Sequence, residues 1–291
     1  MPVRFKQDSN YVPGVNRARF PITGTGAIRN VGSSLPGARM PILADNYLVY
    51  YFDELSGTTV TNYGAATGNN LTLTGAGVTR GDSTIYPKGT LGTAIARTSP
   101  ITYASKTSLA GMPYAGGSYS ATGWTVEITC GWSETWSGSE DGIFEMSLGT
   151  TWPNIFVMKI YRSSLTQISY NCFGTWGGQT ISATVPSSTN LCHAVAIVRN
   201  QPGNNDARMD FYVNGQKANN TDIVLPFGSD ASTFDKIYVG TTGNWASGST
   251  WGSAVNACPY GFKVGEVRVS AGTVRNATYI QQAYQNALNI L

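Results

Sequence analysis

The chain has 291 residues, of which 12% are charged, 41% hydrophobic and 11% aromatic, with 34 glycines. That balance excludes a coiled coil, which needs Ala, Glu, Lys and Leu at helical period, a charged disordered chain, and a collagen. The net charge of +3 is too small for nucleic-acid binding by the whole chain, but it is unevenly placed. In residues 1–45, Arg4, Lys6, Arg17, Arg19, Arg29 and Arg39 stand against Asp8 and Asp45, giving +4. Thirteen Lys and Arg against fourteen Asp and Glu leave −1 on the remainder.

Residues 1–45 lack hydrophobic periodicity and are punctuated by Pro2, Pro13, Pro21, Pro36 and Pro41 among glycines. They cannot build a core of their own. They read either as a disordered leader or as a basic arm laid on a partner, with residues 46–291 as one folded domain. The first residues carry no apolar run of the kind that directs secretion, and no stretch approaches a membrane-spanning length, so synthesis in a cytoplasm without membrane association is expected.

From Tyr47 the chain reads as short strands: Tyr47 to Phe52, Trp124 to Cys130, Ile155 to Tyr161, His193 to Arg199, Met209 to Val213, Lys236 to Val239 and Gly265 to Val269. Their hydrophobic period is near two. Asn214-Gly215 is a tight-turn signal. The pattern predicts an all-β, antiparallel two-sheet sandwich. Asn276 to Ile290 alone reads as a helix, with Ile280, Ala283, Tyr284, Ala287 and Leu288 forming an apolar stripe. Cys130, Cys172, Cys192 and Cys258 lack the spacing of a zinc site. Four buried thiols are expected, with one disulfide as the alternative.

Three groups of residues bear on chemistry. Glu134, Glu140, Asp141 and Glu145 do not have the spacing that puts two catalytic carboxylates on one strand face, and Gly138 and Gly142 suggest a turn leading into Ile143 to Met146. His193, the one histidine, reads as a packing residue at a strand start. Trp176, Trp245 and Trp251, together with Asn244, lie in glycine- and serine-rich loops. An exposed indole beside amides and hydroxyls suits a pyranose ring, whereas the same rings could plug the sandwich ends or a subunit interface. Trp124 and Trp132 read as core.

Tyr50-Tyr-Phe-Asp-Glu-Leu-Ser-Gly57 followed by Gly68-Asn-Asn-Leu-Thr-Leu-Thr-Gly75 resembles the opening of a laminin-G-like jelly roll of the concanavalin A-like lectin/glucanase superfamily. His193 to Arg199 with Met209-Asp-Phe-Tyr-Val-Asn-Gly215 is similar to that family's paired strands, and Gly265 to Val269 with Thr278 to Leu288 to its closing strand and helix. The resemblance implies a jelly roll with one concave face and ligands at that face or its rim. It allows no cofactor beyond a calcium ion on a rim loop, for which Asp53, Asp141 or Asp222 could serve. It gives no catalytic residue, so the chain is expected not to be an enzyme. Such domains also occur in bacteriophage virion proteins. A lectin-like domain without export signal and with a basic arm is therefore expected to be a virion structural protein: a capsid decoration, head fibre or tail appendage. Arg4, Lys6, Arg17, Arg19, Arg29 and Arg39 would anchor it to a capsid, portal or tail protein, and the sandwich, as a homo-oligomer, would face cell-surface glycan. The alternative is a free carbohydrate-binding module or lectin, with a glycoside hydrolase third.

Overall fold

The computed structural model describes residues 40–85, 91–113, 123–148, 156–174, 177–200, 206–219, 223–226, 234–243, 256–272 and 274–289. In chain order the strands are β1 (Asn46–Tyr50), β2 (Thr59–Val60), β3 (Leu71–Thr74), β4 (Val78–Asp82), β5 (Gly92–Ile95), β6 (Tyr103–Lys106), β7 (Trp124–Trp132), β8 (Asp141–Leu148), β9 (Phe156–Ser164) and β10 (Gln167–Gly174). They continue as β11 (Gly177–Thr184), β12 (Thr189–Asn200), β13 (Asp206–Val213), β14 (Gln216–Lys217), β15 (Ile223–Pro226), β16 (Lys236–Val239), β17 (Thr241–Thr242), β18 (Asn256–Ala257) and β19 (Phe262–Ala271), followed by helix α1 (Ala277–Asn289).

Two antiparallel sheets form a sandwich. Sheet A runs β14-β13-β12-β7-β19-β5-β4, with β1 also on β19 and β15 also on β13, and sheet B runs β11-β10-β9-β8-β16-β6-β3-β2. Strand alternation supplies the core between them. Trp124, Val126, Ile128, Cys130 and Trp132 point inward from β7, Cys192, Ala194, Ala196 and Val198 from β12, and Met158, Ile160, Ile168, Tyr170 and Cys172 from β9 and β10. Trp124 and Trp132 are core, as their strand contexts suggest, and Trp124 meets Phe234 edge to face with ring centroids 4.8 Å apart. All four cysteines are buried free thiols.

The helix forms where its stripe predicts. Asn276 caps it, its side-chain oxygen accepting from the Tyr279 amide at 2.9 Å. Ile280 packs on Val195, Ile197 and Tyr212, and Ala287 on Leu191 and Ile85, so α1 covers the outer face of sheet A. Asn214 and Gly215 both adopt positive φ (52° and 78°), the geometry of the tight hairpin expected there.

Charged groups fill the layer between sheet A and the helix side. Glu127 lies 3.7 Å from His193, while Arg275 makes two hydrogen bonds to Asp45, at 2.9 and 2.7 Å. Arg268 bonds Glu266 and donates to the carbonyls of Pro41 and Met40 at 2.9 and 2.6 Å. Residues 40–45 are therefore held against the sandwich. His193 stacks on Tyr284 and is buried, a packing position. Burial alone would raise the Glu127 carboxyl, but the neighbouring His193 together with Arg268 and Arg275 holds it below the usual carboxylate range.

Candidate functional site

Sheet B turns a different surface outward. On β9, β10 and β11 the residues alternating with the core set are Lys159, Tyr161 and Ser163, then Ser169, Asn171 and Phe173, then Gly178, Thr180 and Ser182. Cross-strand register aligns them in rows: Tyr161 with Ser169 and Ser182, Lys159 with Asn171 and Thr180, Val157 with Phe173 and Gly178. Ser169 shares hydrogen bonds with Ser163 (2.7 Å) and Ser182 (2.8 Å), and the Asn171 amide donates to the Thr180 hydroxyl at 2.9 Å. Burial and the Glu140 carboxylate push the Tyr161 hydroxyl up, against hydrogen bonds with Thr180 and Ser169 that act the other way.

The middle row continues through Glu145 and Tyr238 to Ser105. Tyr238 packs on Tyr103 with centroids 5.9 Å apart. Burial, reinforced by Glu145, Tyr103 and Asp235, pushes the Tyr238 hydroxyl up to about 12.

Glu140 and Glu145 form the junction between this face and a hairpin. Glu140 accepts two hydrogen bonds from Lys159 Nζ, at 2.9 and 2.8 Å, one from the Thr242 hydroxyl at 2.6 Å and one from the Asn256 amide at 3.0 Å. Glu145 accepts from the Gly243 amide. Residues 243 and 256 bracket the 244–255 segment, so both of its roots are tied to carboxylates beside the outer face of sheet B.

Two expectations about this stretch need correcting. Gly142 lies inside β8 rather than in a turn, because a Cβ there would come within 2.4 Å of the Thr242 amide nitrogen, where the β17 backbone crosses. Glu140 and Glu145 reach the same hairpin although an odd spacing should oppose them. The register slips between Gly142 and Phe144, and that bulge restores their common side. Asp141 does turn the other way, to Arg97 and to Arg162 at 3.7 Å. Its carboxylate is paired with those two cations. No three His, Cys, Asp or Glu side chains converge as a metal site among the described residues.

Trp176, Asn244, Trp245, Trp251 and Asp222 lie outside the described residues, as do Arg4, Lys6, Arg17, Arg19, Arg29 and Arg39. The hydroxyl and amide rows of β9 to β11 were missed in the sequence. Their signal was the Ile168, Tyr170, Cys172 alternation within Gln167–Gly174, which leaves Ser169 and Asn171 on the opposite face.

No protein-family model and no curated protein matches the chain. Solved structures do. The chain is similar to Trypanosoma rangeli sialidase in complex with sialic acid at TM-score 0.53 and 10% identity, over 83% of this chain and 33% of that one. It is similar to the binding domain of botulinum neurotoxin DC in complex with SialylT at TM-score 0.51 and 8% identity, over 84% and 51%. The botulinum neurotoxin serotype G binding domain aligns at TM-score 0.50 and 10% identity, over 82% and 50%. The chain thus spans about a third of the sialidase and half of the toxin domains. At these identities the likeness establishes the fold, a lectin-like β-sandwich.

Proposed function

We propose that the chain is a non-enzymatic virion structural protein of a bacteriophage that displays a glycan-binding, laminin-G-like sandwich and is anchored by its basic N-terminal residues. The observation that carries the glycan part is the contrast between faces. Sheet A is covered by α1, whereas sheet B carries outward rows of hydroxyl, amide and tyrosine groups, beside which both roots of the Trp245 and Trp251 segment are fixed. Flat rings beside hydroxyl and amide groups are what sugar recognition uses. Two of the similar structures are complexes with sialic acid and SialylT, which favours the same reading.

Glu140 is enclosed by Lys159, Thr242 and Asn256, which fits a carboxylate that fixes a loop rather than one that protonates a leaving group. The net +4 of residues 1–45 and the family resemblance support the virion part of this reading.

A glycan array is expected to give binding that Trp245→Ala or Trp251→Ala abolishes, with no hydrolysis of the bound sugar. Mass spectrometry of purified particles is expected to find the chain, and deletion of residues 1–39 to release it while leaving the contacts of residues 40–45 in place. Glycan binding without particle association would favour a free lectin.

A further inference from the structure

Resting on the glycan-binding reading, we infer that the β9 to β11 part of the sheet B face is a subsite for uncharged, polyhydroxylated sugars, with Phe173 as its stacking platform, and that it disfavours sialylated or uronic glycans. Phe173 faces outward on β10, half-buried against Val157. A Cβ on Gly178 would come within 2.3 Å of the Phe173 ring, so the ring fills the space that a side chain at 178 would take. Ordinary side chains at 178 would lift it. Beside it, in the next rows, stand Asn171, Thr180 and Ser182, with Ser169 buried beneath Ser182 as its hydrogen-bond support. Each hydroxyl among these both donates and accepts, matching the same dual character in sugar hydroxyls, and rows on adjacent strands repeat at about 4.8 Å. A ring face flanked by neutral hydrogen-bonding groups is a pyranose site by its chemistry.

Electrostatics sets the ligand class. The ammonium in these rows, Lys159, is buried and bonded to both oxygens of Glu140, with the Tyr161 ring 4.7 Å from its nitrogen. Drawing it to a ligand carboxylate would strip Glu140 of its cation in a partly buried site. Glu140 and Glu145 together outweigh it beside these rows, and Lys236 lies in the Phe173 row three strands away, in register with Ser147. Arginine forks, the groups suited to clamping a carboxylate, lie elsewhere among the described residues. Arg97 and Arg162 hold Asp141, Arg80 holds Glu54, Arg199 holds Asp210, Arg268 and Arg275 sit under the helix side, and Arg208 is on β13 of sheet A. A sialate at this face would approach carboxylates without a fork to receive it.

The test is titration calorimetry of the full chain with neutral glycans, including lactose and a glucan hexasaccharide, against 3′-sialyllactose and trigalacturonic acid, at 50 and 500 mM NaCl. The expected result is binding of a neutral probe at least tenfold tighter than of its acidic counterpart, with the gap narrowing at high salt as repulsion is screened. Phe173→Ala, Gly178→Ala and Thr180→Val should each weaken neutral binding by roughly tenfold, consistent with the loss of one stacking or bidentate contact, about 1.4 kcal/mol. Gly178→Ala and Thr180→Val lie on an edge strand and should leave the melting temperature unchanged, which separates lost contact from lost fold. Equal or tighter binding of the acidic probes overturns this inference and leaves the glycan reading standing. Neutral binding indifferent to all three variants places the sugar elsewhere and overturns the subsite. No binding of any probe overturns the glycan reading itself.

Discussion

The two outer faces of the sandwich are built from the same strand alternation yet carry opposite chemistry. On sheet A, the outward residues of β7, β12 and β19 include Glu127, His193, Glu266 and Arg268, and they are roofed by α1, Arg275 and residues 40–45. On sheet B, the outward residues of β9 to β11 are almost all uncharged, and among the described residues no helix covers them. Charges persist where they have been buried with partners, and neutral hydrogen-bonding groups lie where the surface is left for something else to cover. The roofed face does structural service, and the proposed recognition falls on the other, so perturbations should separate the two.

The largest effect is expected under the roof. Arg268→Ala removes a cation shared by Glu127 and Glu266 and releases the Met40 and Pro41 carbonyls. Removing one partner from a buried ionic cluster costs about 3–5 kcal/mol, read from urea unfolding at pH 7. Glycan affinity per folded molecule should not change; a parallel loss of binding would mean the faces are coupled. The same cluster sets the acid limb. Glu127 has its native carboxyl held below its unfolded value, so its contribution is fully present above the ordinary carboxylate range and is lost as pH falls through the lowered native value. Urea midpoints from pH 7 down to pH 3 should therefore fall more steeply in the parent than in Glu127→Gln. Next in size is Ile280→Ala, which empties the contact between α1 and Val195, Ile197 and Tyr212. An isoleucine truncated in a core costs about 2–5 kcal/mol, and the partial cover of a surface helix places this variant toward the lower end.

What the sequence made legible follows the same division. Trp124 to Cys130, Lys236 to Val239, the Asn214-Gly215 turn and the helix stripe announce themselves because apolar, β-branched or turn residues recur at a fixed period. β10 and β11 do not. Apart from Phe173, their outward residues are Ser, Asn, Thr and Gly, the composition of a loop, and β11 sends Ile181 and Ala183 toward the core as its main apolar signal. In the sequence the tryptophan-bearing loops therefore stand out as the candidate site, while these rows carry no comparable signal. The bulge between Gly142 and Phe144 was invisible for another reason: it inverts the parity on which face assignment from spacing depends, and only pairing with β9 reveals it.

That bulge supplies the smallest and most selective perturbation. Gly142→Ala would set a Cβ 2.4 Å from the Thr242 nitrogen and 2.5 Å from the Thr241 carbonyl carbon, both backbone atoms that cannot rotate aside. The start of β17 must lift from β8, straining the Thr242 bond to Glu140 and the Gly243 bond to Glu145. Overpacking of this kind costs about 1–3 kcal/mol, and because the hairpin sits at the sheet's surface the lower end is expected. Binding should suffer more than folding, since the displaced residues are the root of the segment bearing Trp245 and Trp251 while the sandwich core is untouched. Calorimetry and thermal melting on the same preparation decide it. Affinity that falls by tenfold or more with a modest drop in melting temperature makes the hairpin root part of the recognition surface, whereas a melting drop with unchanged affinity confines recognition to the β9 to β11 rows.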